Sequence, residues 1–251
     1  MKTRLPYNPH PNMLLCLQNW GGDQKQAMKL ARFIADLQPG RCDAADFLFV
    51  TRSDCPHDKE TLQYVSRKFN IFHHVSRRAG RGWPAGCNDL WFESMSWIYH
   101  MVEARKVPAY KCVFTFEADG VPLIPNWIQL FSADWDLESK KRPTFVMGAY
   151  LTAPGTHING NAIFSCNPAL TRWLTKQVSG CHVNAGWDYV LYPDFRRWGA
   201  CPYSRIRSYW NSKTFPESAY QNELASGTVW LHGVKDDSLL DTSRARLTSR
   251  V

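Results

Sequence analysis

The sequence lacks the patterns that mark secreted, membrane-spanning and zinc-binding proteins. It holds no run of eighteen apolar residues, and its first residues do not form an apolar leader. Its eight cysteines are scattered without a Cys-X-X-Cys pair, which excludes the common zinc motifs. Several lie inside apolar runs, where they act as small hydrophobic residues. We therefore expect a cytoplasmic protein that is neither secreted nor membrane-spanning.

Internal repeats and clear linkers are also missing, so the 251 residues are expected to form one domain. A content of 44% hydrophobic residues, with 14% aromatic, excludes disorder for most of the chain. Thirty Lys and Arg against 22 Asp and Glu give a net charge of +8. This excess suggests a polyanionic partner without naming one, because many soluble basic proteins bind no polyanion.

The first half of the chain alternates apolar strands with amphipathic helices. Strands are predicted at 13–18, 47–51 and 71–76, and helices at 24–37, 59–68 and 89–104. The last of these helices would be capped by Asn88 or Asp89. Strands separated by helices of this length favour an α/β fold whose central sheet is mostly parallel and covered on both faces.

An apolar strand at mid-chain ends in two acids. Val113, Phe114 and Phe116 predict a buried strand, and Glu117 and Asp119 follow it directly. In an open α/β sheet, ligands collect at the carboxyl ends of the strands. Two acids there suit a divalent cation or a ribose hydroxyl. The alternative is a solvated turn after a core strand.

A Gly-rich segment with three arginines, residues 77–89, follows the third strand. Its backbone can approach a ligand closely, its arginines are cationic, and a helix begins beside it. These features suit a phosphate or sugar, with Arg81 as the cation. A mobile basic surface loop is the alternative.

Two polar segments in the second half are candidates for the site of chemistry. His157, Asn159 and Asn161 precede or enter an apolar strand, where they either satisfy local backbone groups or face a ligand. Asp188 follows Trp187 near the start of a predicted helix, where an acid is also common for helix stability alone. Short helices are also predicted at 125–131 and 168–178, and strands at 144–150 and near 228–232.

Arginines and aromatic residues are interleaved from Tyr192 to Asn211, and Arg196 and Arg197 lie in this stretch. Such a pattern can stack bases and bind phosphates, although the aromatics can equally be core residues. The polar tail from residue 237 is expected to be flexible and basic.

The order of these motifs resembles that of the glycosyltransferase A fold. The resemblance rests on Glu117-Ala-Asp119 after a mid-chain strand and on the late His232-Gly-Val-Lys235. It implies a single α/β/α sandwich with a Rossmann-like nucleotide-sugar-binding half at about 10–120 and an acceptor-binding half at about 121–236. Glu117 stands where the family more often has aspartate. The segments 82–88 and 157–162 further resemble the glucosyltransferases of base J synthesis and their bacteriophage relatives, which modify hydroxymethylated DNA bases.

The resemblance implies a set of functional residues. Glu117, Asp119 and His232 would bind Mn²⁺ or Mg²⁺ on the diphosphate of a nucleotide sugar, expected to be a UDP-sugar. Lys235 would contact its phosphates. The predicted donor site comprises Gln18, Asn19, Thr51, Arg81, Gly86, Asn88, Asp89 and Lys235, at strand ends or in the Gly-rich segment.

Sugar transfer also requires a base for the acceptor hydroxyl. Asp188 is the first choice, because it lies away from the metal acids, and His157 is the reserve. The predicted acceptor is double-stranded DNA carrying hydroxymethylated pyrimidines. Its site would include Asn159, Asn161, Trp187, Arg196 and Arg197.

Three other functions stay open at this point. A glycosyltransferase could act on a protein or glycan. A metal-dependent nuclease would also use acids, a histidine and basic charge. A non-catalytic nucleic-acid-binding protein would need only the arginines and aromatics, and would tolerate loss of Glu117 and Asp119.

Overall fold

A computed structural model describes residues 11–248 apart from 57, 79, 81, 153–154, 168–172 and 174–184. Arg81 and the helix predicted at 168–178, Trp173 excepted, lie outside the described residues. The described residues form ten strands: β1 Met13–Asn19, β2 Ala45–Arg52, β3 Ile71–Ser76, β4 Cys112–Glu117, β5 Gly120–Pro122, β6 Val146–Leu151, β7 His157–Ser165, β8 Ala200–Pro202, β9 Ile206–Ser212 and β10 Trp230–Val234.

The helices flank these strands in the order expected for an α/β protein. Within the described ranges they are α1 Gln24–Asp36, α2 Lys59–Val65, α3 Ala85–Glu103, α4 Trp127–Lys141, α5 Trp187–Val190, α6 Tyr192–Trp198, α7 Ala219–Ala225 and α8 Ser238–Thr248. In this part of the chain, no helix is both long and apolar enough to cross a lipid bilayer.

The central sheet has seven strands in the order β3-β2-β1-β4-β7-β6-β8. Strands β3, β2, β1 and β4 are parallel to one another, and β7 is antiparallel to both β4 and β6. Side chains along a strand point alternately to its two faces. Accordingly Leu15 and Leu17 join the core on one face and Leu14 joins the core on the other. The predicted α/β/α sandwich with a mostly parallel sheet is confirmed.

A second sheet of three strands, in the order β5-β10-β9, stands beside the end of β4. Strand β10 is antiparallel to β5 and parallel to β9. Its register places His232 opposite Gly120, the residue after Asp119. The late histidine is thereby brought to the two acids that follow β4.

Several predicted boundaries are wrong. Helix α3 begins at Ala85 instead of Asp89, so Asn88 and Asp89 lie inside it and do not cap it. Helix α4 extends to Lys141, well past residue 131. The tail expected to be flexible forms α8 over residues 238–248, because Leu239, Leu240 and Leu247 are buried in the core. Burial of three leucines stabilises a helix whose sequence is otherwise polar.

Candidate active site

Two acids and a histidine meet at the carboxyl end of β4. Glu117 ends that strand, Asp119 lies in the turn before β5, and His232 lies in the middle of β10. Ligand atoms of all three side chains lie within 4.8 Å of one another. We call these residues the three-ligand cluster. The set predicted to bind a metal is thus brought together, although its occupancy by a metal stays a prediction.

The chemistry of the cluster fits a divalent cation. Asp119 Oδ1 and His232 Nδ1 are buried and have no hydrogen-bond partner in the protein, a costly arrangement unless a ligand binds them. Burial and the adjacent Asp119 raise the pKa of Glu117 to about 8. Burial lowers the pKa of His232, which favours the neutral imidazole that can bind a metal. A cation would satisfy the unpartnered atoms and offset the repulsion between the two acids.

Lys235 lies at the same place, directly after β10. Its Nζ donates to Asp119 Oδ2 over 2.5 Å, and it is half exposed. The chain reaches it through Gly233, whose φ of 99° lies in the left-handed region, at an irregularity in the pairing of β10 with β9. A Cβ at Gly233 would lie 2.9 Å from the backbone of Trp210. Only glycine allows this close approach.

A charged cleft of about 590 Å³ opens beside the three-ligand cluster. Burial raises the pKa of Asp23, on its wall, to about 7. Three lysines and several acids line the cleft, which suits a ligand that carries phosphates and binds a cation. Its lining residues are Gln18, Trp20, Gly22, Asp23, Lys25, Gln26, Lys29, Gly82, Trp83, Gly86, Cys87, Leu90, Glu117, Ala118, Asp119, Lys235, Asp236 and Asp237.

The described members of the predicted donor site fall into three sets. Gln18, Gly86 and Lys235 line the charged cleft. Thr51 faces a separate small cavity, where its hydroxyl and His73 Nε2 are 2.9 Å apart. The remaining described members, Asn19, Asn88 and Asp89, are not among the lining residues.

Asn19 and Asp89 contact other protein groups. Asn19 Nδ2 lies 3.5 Å from Cys55 Sγ. Asp89 accepts the backbone N–H of Gly80 and faces Arg78. Neither side chain is thus placed in the cleft, where the donor site was predicted.

Asn88 has a different task, since it fastens helix α3 to the segment that carries Asp188. Its Nδ2 donates to Ala185 O over 3.0 Å, and its Oδ1 accepts the N–H of Trp187 at 2.7 Å. Trp187 is buried and stacks on Trp91 with ring centroids 3.9 Å apart. Trp187, predicted to contact the acceptor, is thus a core residue that positions α5.

Asp188 and His157 face each other in a second cavity. His157 Nε2 lies 3.9 Å from Asp188 Oδ2, and the backbone N–H of Gly160 donates to that oxygen at 3.2 Å. Burial raises the pKa of Asp188, and His157 opposes that rise. Because Gly155 O can only accept, His157 Nδ1 must donate to it at 2.8 Å. The other ring nitrogen, Nε2, is the one that faces the Asp188 carboxylate.

Aromatic side chains dominate this second cavity, which we call the aromatic pocket. Its volume is about 480 Å³. Trp83, Tyr189 and Trp210 are 69%, 42% and 70% exposed, unusual values for such large side chains. The described lining residues are Trp83, Leu151, Thr152, His157, Asn159, Ala185, Gly186, Asp188, Tyr189 and Trp210.

The other predicted acceptor residues lie at different depths. Asn159 lines the aromatic pocket, and its Oδ1 accepts the N–H of Asn161. Asn161 is buried and its Oδ1 accepts the N–H of Glu117 at 3.4 Å, so it connects the pocket to the three-ligand cluster. Arg196 and Arg197 are exposed on α6 and are absent from the described lining of both cavities.

The sequence analysis assigned no individual site role to Trp83, Tyr189 or Trp210, although Trp210 lies in the arginine–aromatic stretch 192–211. Each comes from a different segment, and an isolated aromatic residue usually indicates core. The available signal was Trp83, because a tryptophan between Gly82 and Pro84 has little regular structure around it in which to be buried.

No family model matches this chain, and no curated protein sequence matches it. Solved structures do. GlyE, a glycosyltransferase of Streptococcus pneumoniae, is 9% identical with a TM-score of 0.57; the match covers 90% of this chain and 55% of GlyE. This chain therefore spans about half the length of that protein. A glycosyltransferase involved in glycosylating the major capsid of PBCV-1 is 11% identical with a TM-score of 0.53, covering 96% of this chain and 100% of that one.

An active-site mutant of LgtC gives 10% identity and a TM-score of 0.50, covering 88% of this chain and 87% of the other. Likeness at this level of identity concerns the fold alone. The chain has the glycosyltransferase A fold expected from its motifs.

Proposed function

We propose that this protein is a metal-dependent glycosyltransferase that moves a sugar from a nucleoside diphosphate to an acceptor hydroxyl. One observation carries the proposal. On a glycosyltransferase A fold, the three-ligand cluster has buried, unpartnered ligand atoms at the edge of a charged cleft, and a carboxylate–imidazole pair occupies the adjoining aromatic pocket. In this proposal, the metal, the leaving group and the base occupy separate places in two adjoining cavities.

In this proposal the charged cleft holds the donor. Glu117, Asp119 and His232 would hold Mn²⁺ or Mg²⁺, which when bound supplies positive charge for the departing diphosphate. Lys235 adds a cation at the same edge and binds phosphate oxygens. Gln18 and Gly86 shape the cleft wall, where Gly86 lets the donor approach the backbone closely.

Asp188 performs the proton chemistry. It accepts the proton of the acceptor hydroxyl as that oxygen bonds to the anomeric carbon. The bond between this carbon and the phosphate oxygen breaks, and its electron pair leaves with the diphosphate. The backbone N–H groups of Gly160 and Tyr189 hold the carboxylate in place, and His157, 3.9 Å away, favours its ionised form.

The acceptor proposed from the sequence is a hydroxymethylated pyrimidine in double-stranded DNA. The net charge of +8 and the resemblance to DNA-base glucosyltransferases support it. The aromatic pocket could receive a flipped base between aromatic side chains, with Asn159 bonding its edge.

A glycan or protein acceptor is the second candidate, and one observation favours it. The described residues that line the aromatic pocket include no Lys or Arg, which a phosphate backbone passing its mouth would call for. The PBCV-1 neighbour, whose likeness covers 96% of this chain, is involved in glycosylating a capsid protein. A nuclease, by contrast, would leave the aromatic pocket and Asp188 without a role.

One panel experiment tests both levels of the proposal. The protein is incubated with Mn²⁺, a set of UDP-, GDP- and ADP-linked sugars, and three acceptors: hydroxymethylated duplex DNA, unmodified duplex DNA and lactose. Mass spectrometry of the nucleosides and sugars identifies the product. We expect transfer that stops in excess chelator and in Asp119→Ala. If no donor is consumed, or turnover persists in chelator, the proposed function is wrong. Transfer to lactose alone would overturn only the DNA acceptor.

A further inference from the structure

Trp83 is the one residue, among those described, that lines both the charged cleft and the aromatic pocket. Its side chain is 69% exposed, although tryptophan is usually mostly buried. If one cavity holds the donor and the other the acceptor, the two substrates would meet where the cavities adjoin. The indole of Trp83 lies at that boundary.

The backbone around Trp83 is well fixed. Gly82, with φ of 62°, accepts the N–H of Gly86 at 2.7 Å, so Trp83 begins the turn that leads into α3. Four residues into that helix, the side chain of Asn88 fastens it to Ala185 and Trp187, directly before Asp188. Trp83 and the proposed base are therefore carried by segments that are hydrogen-bonded to each other.

We propose, on the basis of the function proposed above, that Trp83 is a positioning residue whose indole binds the transferred sugar between donor cleft and acceptor pocket and shields its anomeric carbon from water. The nucleoside diphosphate itself lies deeper, at the three-ligand cluster and Lys235. Trp83 thus selects for the sugar and for transfer over hydrolysis, and has little effect on the nucleotide.

An exposed indole at such a boundary can contact a sugar in two ways. Its flat apolar face packs against the C–H face of a sugar ring and orients it, while its rim N–H can still bond a hydroxyl. Without that face, water enters the groove. Water oxygen then bonds to the anomeric carbon, its proton goes to Asp188, and the carbon–phosphate oxygen bond breaks to give free sugar.

The first test separates the sugar from the nucleotide. Calorimetry with Mn²⁺ compares UDP with UDP-glucose, GDP with GDP-mannose and ADP with ADP-glucose, in the wild type, Trp83→Ala, Trp83→Phe and Leu137→Ala. Leu137 is 53% exposed on α4, outside both cavities, and serves as the control. We expect Trp83→Ala to lose about tenfold in affinity for the nucleotide sugar and to change by less than about twofold for the diphosphate. Trp83→Phe should recover most of the loss.

The second test measures hydrolysis of the nucleotide sugar by water. Without acceptor, Trp83→Ala should hydrolyse bound nucleotide sugar several times faster than the wild type, about fivefold at saturating donor. Leu137→Ala should match the wild type in both tests. Circular dichroism confirms that the Trp83 variants fold, which their exposed position favours.

Several results would overturn the inference. Equal losses for diphosphate and nucleotide sugar would give Trp83 a merely structural role, and so would hydrolysis that does not rise. Failure of Trp83→Phe to recover sugar affinity would remove the stacking argument. If the wild type binds none of the three diphosphates, the proposed function itself fails, and the role of Trp83 fails with it; this outcome is distinct from the others because it concerns the wild type.

Discussion

The charged cleft and the aromatic pocket adjoin, yet they are built in different ways. The cleft takes its chemistry from side chains at the carboxyl ends of strands β1, β4 and β10, where Gln18, Glu117 and Lys235 meet. The pocket takes its chemistry from loops and short helices that are far apart in the chain, such as those of Trp83, Asp188 and Trp210. In the proposed reaction, strand ends would hold the metal and the diphosphate. Loops are free to differ, and in this proposal they shape the acceptor site.

The largest effect is expected from removing a charged side chain from the cleft, which tests whether the cleft binds the metal. Asp119→Asn should lower turnover about a thousandfold, because the side chain is buried beside His232 and loses a charged ligand. Mn²⁺ affinity, measured by calorimetry, should fall with it. Glu60→Gln is a matched control, since Glu60 is 83% exposed on α2. Wild-type turnover in Asp119→Asn would show that the cluster is not a metal site.

Removing a charge from the aromatic pocket should produce a different loss. Asp188→Asn should lower kcat about a hundredfold, because an amide cannot accept the acceptor proton. Affinity for the nucleoside diphosphate should stay within about twofold of the wild type, because Asp188 does not line the charged cleft. Asp194→Asn, on the neighbouring helix α6, is the control. A parallel fall in diphosphate affinity would mean that the two cavities are not separate sites.

The hydrogen bonds of Asn88, which connect helix α3 to the segment before Asp188, can be tested through stability. Asn88→Ala removes two hydrogen bonds from a side chain that is 4% exposed, so the free energy of unfolding should fall by about 2 kcal/mol. Urea denaturation measures it. Asn222→Ala, at an exposed site on α7, should change the free energy by less than about 0.5 kcal/mol. Equal stability of the two variants would argue against a stabilising role for the hydrogen bonds of Asn88.

The smallest effect concerns pH. Burial raises the pKa of Asp188, so its basic form is lost as pH falls at a higher pH than for an ordinary aspartate. His157 opposes that rise, and His157→Gln should therefore move the acid limb of the kcat profile to still higher pH. A pH–rate profile from each protein measures the shift. A shift toward lower pH would contradict the proposed pairing of Asp188 with His157.

The same contrast explains how far the sequence could predict the molecule. Strands β1 and β4 are mostly apolar, and Glu117 and Asp119 come at the end of the apolar run of β4, so their place at a strand end was readable from local pattern. His232 was placed by resemblance, since pairing of β10 with β5 cannot be seen from local residues. Asn88 was expected to cap a helix, yet its partners lie 97 and 99 residues away. No local pattern carries such a contact.

The arginines show that composition alone does not identify binding residues. The net charge of +8 suggested a polyanion, but charge does not say where cations point. Arg197 pairs with Asp194 over 3.9 Å, and Arg205 with Asp134 over 2.9 Å. Some arginines thus form local ion pairs, and the sequence alone could not separate these from binding residues.

Gly233 gives the molecule one position that engineering should leave alone. A methyl group there would press on the backbone of Tyr209 and Trp210, which cannot yield as a flexible side chain would. Any replacement would shift β9 against β10 and displace Trp210 and His232 together. In a library that seeks new acceptors, position 210 is therefore a useful site to vary and position 233 a site to hold constant. A single glycine thus keeps both Trp210 of the aromatic pocket and His232 of the three-ligand cluster in place.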